Sequence, residues 1–293
     1  MPHPLRTSCR LALLALAALG PLAAPAVAQQ IRELASADFE TGTLPGGRWS
    51  WGAYGGGKLD ISRDPIVNAN GSKGSLRAQY PIPTGGIYAL GSVKVADLKL
   101  NEVYVEFNAR MPAVKHGLKF LKIFGGNQGK GYANATIQPD YTGTDNGGFL
   151  FIGFGDGSQL ENDFGNVIFL NGGDPSWIGR SYGLATVNTP QRASWPSTNW
   201  GTTWHHFRVK VKFNSGTNAQ NERNDGEFYL EIDGQVYVDA KGLFNRHYSN
   251  PPIDRVTFMD WSQSGTEPFE VWYDDIVVST GGFVATSSAK VKQ

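Results

Sequence analysis

Cysteine is almost missing from this chain. The single Cys9 lies before the apolar run Leu11–Leu19 rather than after it, so it is not placed to carry a lipid anchor. That run is far shorter than the ~20 apolar residues a membrane-spanning helix requires. With Arg6 and Arg10 ahead of it and Ala26-Val27-Ala28 behind, it has the three parts of an export signal over residues 1–28, and cleavage is expected after Ala28. The mature chain would then hold no disulfide and insert nothing into a membrane. Such a domain needs a sizeable hydrophobic core, and residues 29–281 are enough for one, with 282–293 as a flexible tail. The expected location is secreted or periplasmic, and the expected state is a monomer.

An excess of positive charge is also absent. The whole chain has 26 basic and 26 acidic residues, and losing Arg6 and Arg10 with the leader leaves it slightly acidic. That balance excludes the broad basic field of a nucleic-acid binder. An acidic substrate would have to be held by a local cluster. No stretch keeps a helical period over three turns, and no repeat of fixed length appears.

What is present is glycine (37), moderate proline (16) and 12% aromatic residues, a composition suited to many short strands and tight turns. Strands are expected at 36–39, 58–62, 75–80, 103–111, 117–124, 132–138, 149–154, 167–170, 205–213, 226–232, 235–239, 253–260 and 270–278. Asp233-Gly234 reads as a hairpin turn between two of them. Residues 171–200 have no strand pattern but carry Trp177, Arg180 and Tyr182, too aromatic for a solvated linker and suited to contacting a ligand.

Two strands carry unusual polar faces. In 103–111, Val103, Val105, Phe107 and Ala109 alternate with Tyr104, Glu106, Asn108 and Arg110; in 132–138, Ala133, Ala135 and Ile137 alternate with Tyr132, Asn134, Thr136 and Gln138. Alternation at period two marks a half-buried strand. Rows of Tyr, Asn, Gln and Arg suit a surface that hydrogen-bonds and stacks on a polyhydroxylated ligand, and the expectation is one shared sugar-polymer groove.

Three pieces together resemble the concanavalin A-like lectin/glucanase sandwich: Asp38-Phe39-Glu40, the run from Trp204-His205-His206-Phe207 to Glu231-Ile232-Asp233-Gly234, and Trp272-Tyr273-Asp274-Asp275-Ile276. The resemblance implies an all-β fold, an antiparallel jelly-roll sandwich with one concave polar sheet, whose first and last strands pair around a structural calcium ion. Glu40 with Asp274 or Asp275 would supply its oxygen ligands. No organic cofactor is implied. The fold alone does not choose among lectins, hydrolases and lyases.

The chemistry narrows the choice. Glu231-Ile232-Asp233 looks like a retaining-glucanase signature, but its third same-face residue is Gln235, which is neither nucleophile nor acid, and Asp233-Gly234 is accounted for as a turn. His205 shares phase with the apolar Phe207, Val209 and Val211, which favours a structural role over a catalytic one. Cutting a uronate polymer by β-elimination needs no carboxylate pair. It requires a donor that neutralises the C5 carboxylate, a base for the C5 proton and an acid for the departing O4. Arg110, Asn134 and Gln138 fit the first role, and His116, Lys119, Tyr132 and Tyr141 are available for the others. In this the chain is similar to the sandwich-fold alginate and glucuronan lyases, although Gln138 is followed by Pro139-Asp140 where alginate lyases carry Ile-His. Tyr104, Glu106, Asn108, Trp177, Arg180 and Tyr182 would line the substrate site. Two alternatives stay open: a non-catalytic, lectin-like domain using the same groove, and a glycoside hydrolase pairing two of Glu106, Asp140, Asp145, Asp156 and Glu161 across it.

Overall fold

The computed structural model describes residues 30–64, 68, 71–81, 88–110, 118–125, 133–140, 149–156, 167–170, 203–217, 220–221, 223, 225–243, 246, 252–262 and 268–284. Fifteen strands appear among them: β1 (Arg32–Ala37), β2 (Trp49–Tyr54), β3 (Lys58–Ser62), β4 (Ser75–Tyr80), β5 (Tyr88–Lys94), β6 (Glu102–Arg110), β7 (Leu118–Gly125), β8 (Ala133–Asp140), β9 (Phe149–Asp156), β10 (Val167–Leu170), β11 (His205–Lys212), β12 (Gly226–Ile232), β13 (Gln235–Leu243), β14 (Arg255–Ser262) and β15 (Phe269–Thr280). A 3₁₀ turn at Ala96–Leu98 links β5 to β6. No helix among the described residues is long and apolar enough to cross a membrane.

The strands form two antiparallel sheets. Sheet A runs β13-β12-β11-β6-β15-β4-β3, and sheet B runs β10-β9-β8-β7-β14-β5-β2. Along one edge of β15, the first half pairs with β4 and the second with β1, so the first and last strands of the described domain are partners. The core between the sheets is what period two predicts. From sheet A it takes Val103, Val105, Phe107 and Ala109 of β6 with Phe207, Val209 and Val211 of β11, and from sheet B Val93, Leu121, Ile123, Val256 and Phe258. Phe107 and Phe207 stack at 4.9 Å, and Phe258 meets Phe107 edge-on at 5.5 Å across the interface. Burying side chains of this size is worth ~1.5–3 kcal/mol each before entropy is charged against it.

Two strands are missing from the sequence-based expectations. β2 and β5 pair at one edge of sheet B, with Trp51 opposite Gly91. A Cβ at Gly91 would stand 2.2 Å from the Trp51 ring, so this glycine is the space into which the indole lies. Trp51 in turn stacks on Trp49 at 4.8 Å, and Trp49 reaches Phe258 in the core. The Asp233-Gly234 turn is as expected: φ is 52° and 79°, a two-residue hairpin between β12 and β13. The Asp233 carboxylate also accepts from the His206 backbone N–H at 2.8 Å and meets His205 Nδ1 at 2.6 Å, tying the hairpin to the start of β11. Burial opposes ionisation of Asp233, but these contacts hold its pKa below the ordinary carboxylate value.

Candidate functional site

The topology overturns the expectation of one groove shared by the two polar rows. β6 lies in sheet A and β8 in sheet B, and the apolar alternates of β6 face the core, so its polar row is on the outer side of sheet A, away from sheet B. That outer face is a ladder of mutual contacts. Glu106, only 4% exposed, meets His206 Nε2 at 3.2 Å, and Asn108 bridges His206 Nδ1 (3.0 Å) and the Asp275 carboxylate (3.0 Å). Lys210 and Lys212 share Glu227, and the Tyr229 hydroxyl donates to Glu231. Burial, reinforced by that bond, pushes Tyr229 up to about 12. Phe283 closes over this face, 4.1 Å from the Arg208 guanidinium and edge-on to Tyr104 at 5.0 Å. The tail therefore docks at least through Phe283. Arg110 lies over the Trp272 ring at 5.1 Å. The hydrolase alternative loses the pairs that include Glu106 with Asp140 or Asp156, since those two positions are in sheet B.

Sheet B has a polar row of its own. Register aligns Ser50, Ser92, Thr257, Lys122 and Thr136 across β2, β5, β14, β7 and β8, and directly paired residues share a face. Val93, Val256 and Ile123 take the core phase beside them, which puts this row on the outer side of sheet B. Ser92 and Thr257 hydroxyls hydrogen-bond at 2.9 Å. The Lys122 side chain is 3% exposed, and its ammonium lies over the Phe124 ring at 4.6 Å, where the Arg255 guanidinium also lies at 4.2 Å. Ser92, Thr257 and Phe124 are buried as well, so the two cations over one aromatic ring make a water-poor setting in which a carboxylate is attracted from two sides.

Of the expected catalytic residues, Asn134 and Gln138 occupy β8 positions, Asn134 directly opposite Phe124, and Lys119 is opposite Trp261. His116, Tyr132, Tyr141, Trp177, Arg180 and Tyr182 lie outside the described residues, as do Asp145 and Glu161. Lys122, Arg255, Thr257 and Ser92 were not anticipated. Their signal was present in Lys122, a cation in phase with Phe120 and Phe124; the pairing of its neighbours to a polar strand could not be read without the register.

The expected calcium ligands gather at a break in β15. Its register against β6 shifts between Asp274 and Val277, and Asp275 takes φ 48°. The extra residue lets Tyr273 and Ile276 both face the core and turns Asp274 inward. Asp274 is 0% exposed; Oδ1 accepts from the Asp275 N–H at 2.9 Å, while Oδ2 has no geometric hydrogen bond among the described residues, although the Ser72 hydroxyl nearby favours the charged form. Burial, with Asp275 and Glu40 adding repulsion, raises its pKa to about 8. Asp275 is also raised, by burial and by Asp38 and Glu40. Glu40 itself is lowered, chiefly by the Lys73 N–H that donates to it at 2.9 Å. An orphaned buried carboxylate oxygen among other carboxylates matches the hard-oxygen chemistry of Ca²⁺. Among the described residues, however, no three His, Cys, Asp or Glu lie where they could hold one metal ion together, so at most two of these carboxylates could serve, with hydroxyl, carbonyl or water oxygens completing the shell.

No protein-family model matches the chain, and no curated protein matches it. Solved structures do. The endo-β-1,4-glucuronan lyase from the fungus Trichoderma reesei is 13% identical, covering 85% of this chain and 96% of its own, with a TM-score of 0.52. The fold is the jelly-roll sandwich of these lyases. The alginate lyase vAL-1 from Chlorella virus is similar at 16% identity, 84% and 99% coverage and a TM-score of 0.52. For the alginate lyase Aly36B the values are 17%, 83% and 95%, and 0.51. At these identities the likeness is one of architecture, and it extends over nearly the full length of each relative.

Proposed function

We propose that this protein is an exported polysaccharide lyase that cleaves a uronate-containing polymer by β-elimination on the outer face of sheet B. The observation that carries the reading is the pair of cations, Lys122 and Arg255, over Phe124 at the end of a hydroxyl-lined row. A cation fixed in a water-poor setting stabilises the negative charge that builds on the C5 carboxylate as its α-proton leaves. The proton passes to a base, the C4–O4 bond breaks, O4 takes up a proton, and a C4=C5 double bond remains. Lys122 and Arg255 neutralise; Asn134 and Gln138, on β8 beside Lys122, add donors; Tyr132, Tyr141 and His116 are the base and acid candidates. A Ca²⁺ ion held by Glu40 with Asp274 or Asp275, and by hydroxyl, carbonyl or water oxygens, would stabilise the fold and take no part in the reaction.

The test follows ultraviolet absorbance, which the unsaturated product raises, over a panel of alginate, polyglucuronate and other acidic polysaccharides. The expected result is a rise with at least one polymer that falls by two orders of magnitude or more in Lys122→Gln, because an interaction made in the transition state is removed. Retained polymer binding with no absorbance rise on any substrate would instead identify a lectin-like domain.

A further inference from the structure

The register of sheet B brings further cations beside Lys122 and Arg255. Lys94, at the end of β5, is directly opposite Arg255, and its N–H donates to the Arg48 carbonyl at 3.0 Å, so Arg48 lies opposite it on the other side. Trp49, Val93 and Val256, adjacent to these three in the chain, are buried in the core. Arg48, Lys94 and Arg255 therefore share the outer face with Phe124, the residue opposite Arg255 on β7. Like charges directly opposite one another destabilise a sheet, and here an ammonium stands between two guanidinia. The acids nearby are both taken up by those guanidinia: Asp97 holds Arg48 through two bonds at 2.7 and 2.9 Å, and Asp254 Oδ1 comes to 3.8 Å from the Arg255 Nε. Among the described residues no carboxylate pairs with Lys94. The row is also the reachable part of the site. Lys94 is exposed, and the Arg48 and Arg255 side chains are 34% and 32% exposed, whereas Lys122 is buried.

We infer that Lys94 is a second carboxylate subsite, one sugar along the polymer from the reactive unit at Lys122 and Arg255, and that it selects runs of contiguous uronates. Neighbouring strands are ~4.8 Å apart, comparable to the length of one pyranose unit, so a chain crossing from β7 over β14 to β5 offers successive carboxylates to successive strands. Asp97 neutralises Arg48 and holds its guanidinium against the Lys94 carbonyl, which leaves the surplus charge on the ammonium. One exposed ion pair adds modestly to affinity, and an unbalanced cation also attracts a polyanion over the screening length. The inference rests on the proposed lyase reading for which sugar reacts, and it adds a requirement for an acidic neighbour that the cleavage chemistry alone does not impose.

The experiment compares wild type, Lys94→Gln and Lys94→Arg on whichever of alginate and polyglucuronate is cleaved, and on the same polymer after part of its carboxylates have been reduced to alcohols. Lys94→Gln is expected to raise KM about three- to fivefold on the intact polymer with kcat within about twofold, and Lys94→Arg to restore KM. On the partly reduced polymer, wild type should lose more activity than the fraction of acid units destroyed, because a reacting sugar must also keep an acidic neighbour. Lys94→Gln should lose that fraction only. Its unfolding midpoint should equal or exceed that of wild type, since a charge facing two like charges is gone. Equal proportional losses in the two proteins, an unchanged KM, a loss confined to kcat or a lowered midpoint would overturn the subsite while leaving the lyase reading intact. If no polymer is cleaved, the three proteins are titrated calorimetrically with alginate and polyglucuronate hexasaccharides. Binding weakened in Lys94→Gln alone then supports the carboxylate subsite without the lyase, and equal or undetectable binding in all three overturns it.

Discussion

Asp274 combines full burial, an oxygen with no hydrogen bond among the described residues and a pKa of about 8, and these have one consequence for stability. Its folded pKa is raised above the ordinary carboxylate value of 3.8, so between about pH 4 and 8 the folded state holds a proton that the unfolded chain has released. Stability contributed by this group is therefore greatest at and below pH 4 and is lost as pH climbs toward 8. In chelator-treated protein, Asp274→Asn should raise the Tm at pH 8, by about 2–4 °C for each kcal/mol of repulsion relieved in a chain of this size. Bound Ca²⁺ would offset the same cost in the wild type, so millimolar Ca²⁺ should raise the wild-type Tm at pH 8 and leave Asp274→Asn unmoved. Scanning calorimetry at pH 5 and pH 8, with and without Ca²⁺, measures both arms; a wild-type Tm indifferent to Ca²⁺ would dispose of the ion.

At the level of elements, the two glycines of the β2–β5 ribbon do what a bulky residue cannot. Gly91→Ala would drive a methyl to within 2.2 Å of Trp51, whose ring is fixed by its stack on Trp49, so neither partner can step aside. The expected cost is ~1–3 kcal/mol, read as a lower denaturant midpoint with an unchanged slope. Gly46→Ala, where nothing lies within 4 Å of the added carbon, is the control that should move little. The same glycines explain what could be read in advance. β3, β4 and β12 have the bounds that alternation gives, because each carries an uninterrupted apolar phase, and β10 is bounded as a continuous apolar run. β2 and β5 went unread because glycine inside a strand signals weakness until the ring lying over it is known. β15 misleads in another way: its bulge at Asp274–Asp275 breaks period two, so no phase count along the strand could tell which of the two acids turns inward.

Over the whole molecule, period two tells which side of a strand faces the core but not which sheet the strand joins, and the candidate site depended on that second fact. Tyr104–Arg110 and Tyr132–Gln138 looked like one surface because each pattern is polar and each belongs to a half-buried strand; the sandwich sends them to opposite exteriors. On sheet A the polar row is spent on ion pairs and covered by Phe283. On sheet B it continues through Thr257 to Ser92 beside two cations. Substituting one residue from each face separates these roles. Arg110→Ala removes a guanidinium stacked on Trp272, which should cost ~0.5–1 kcal/mol of stability and leave kcat/KM on the polymer within about twofold. Arg255→Ala removes a cation from the sheet B cluster and should cut kcat/KM at least tenfold, with the loss deepening as ionic strength falls because a long-range attraction to the acidic polymer goes with it. Steady-state rates at two salt concentrations, beside the unfolding midpoint of each variant, decide the matter. A severe catalytic loss in Arg110→Ala with Arg255→Ala unaffected would move the chemistry to the other side of the sandwich.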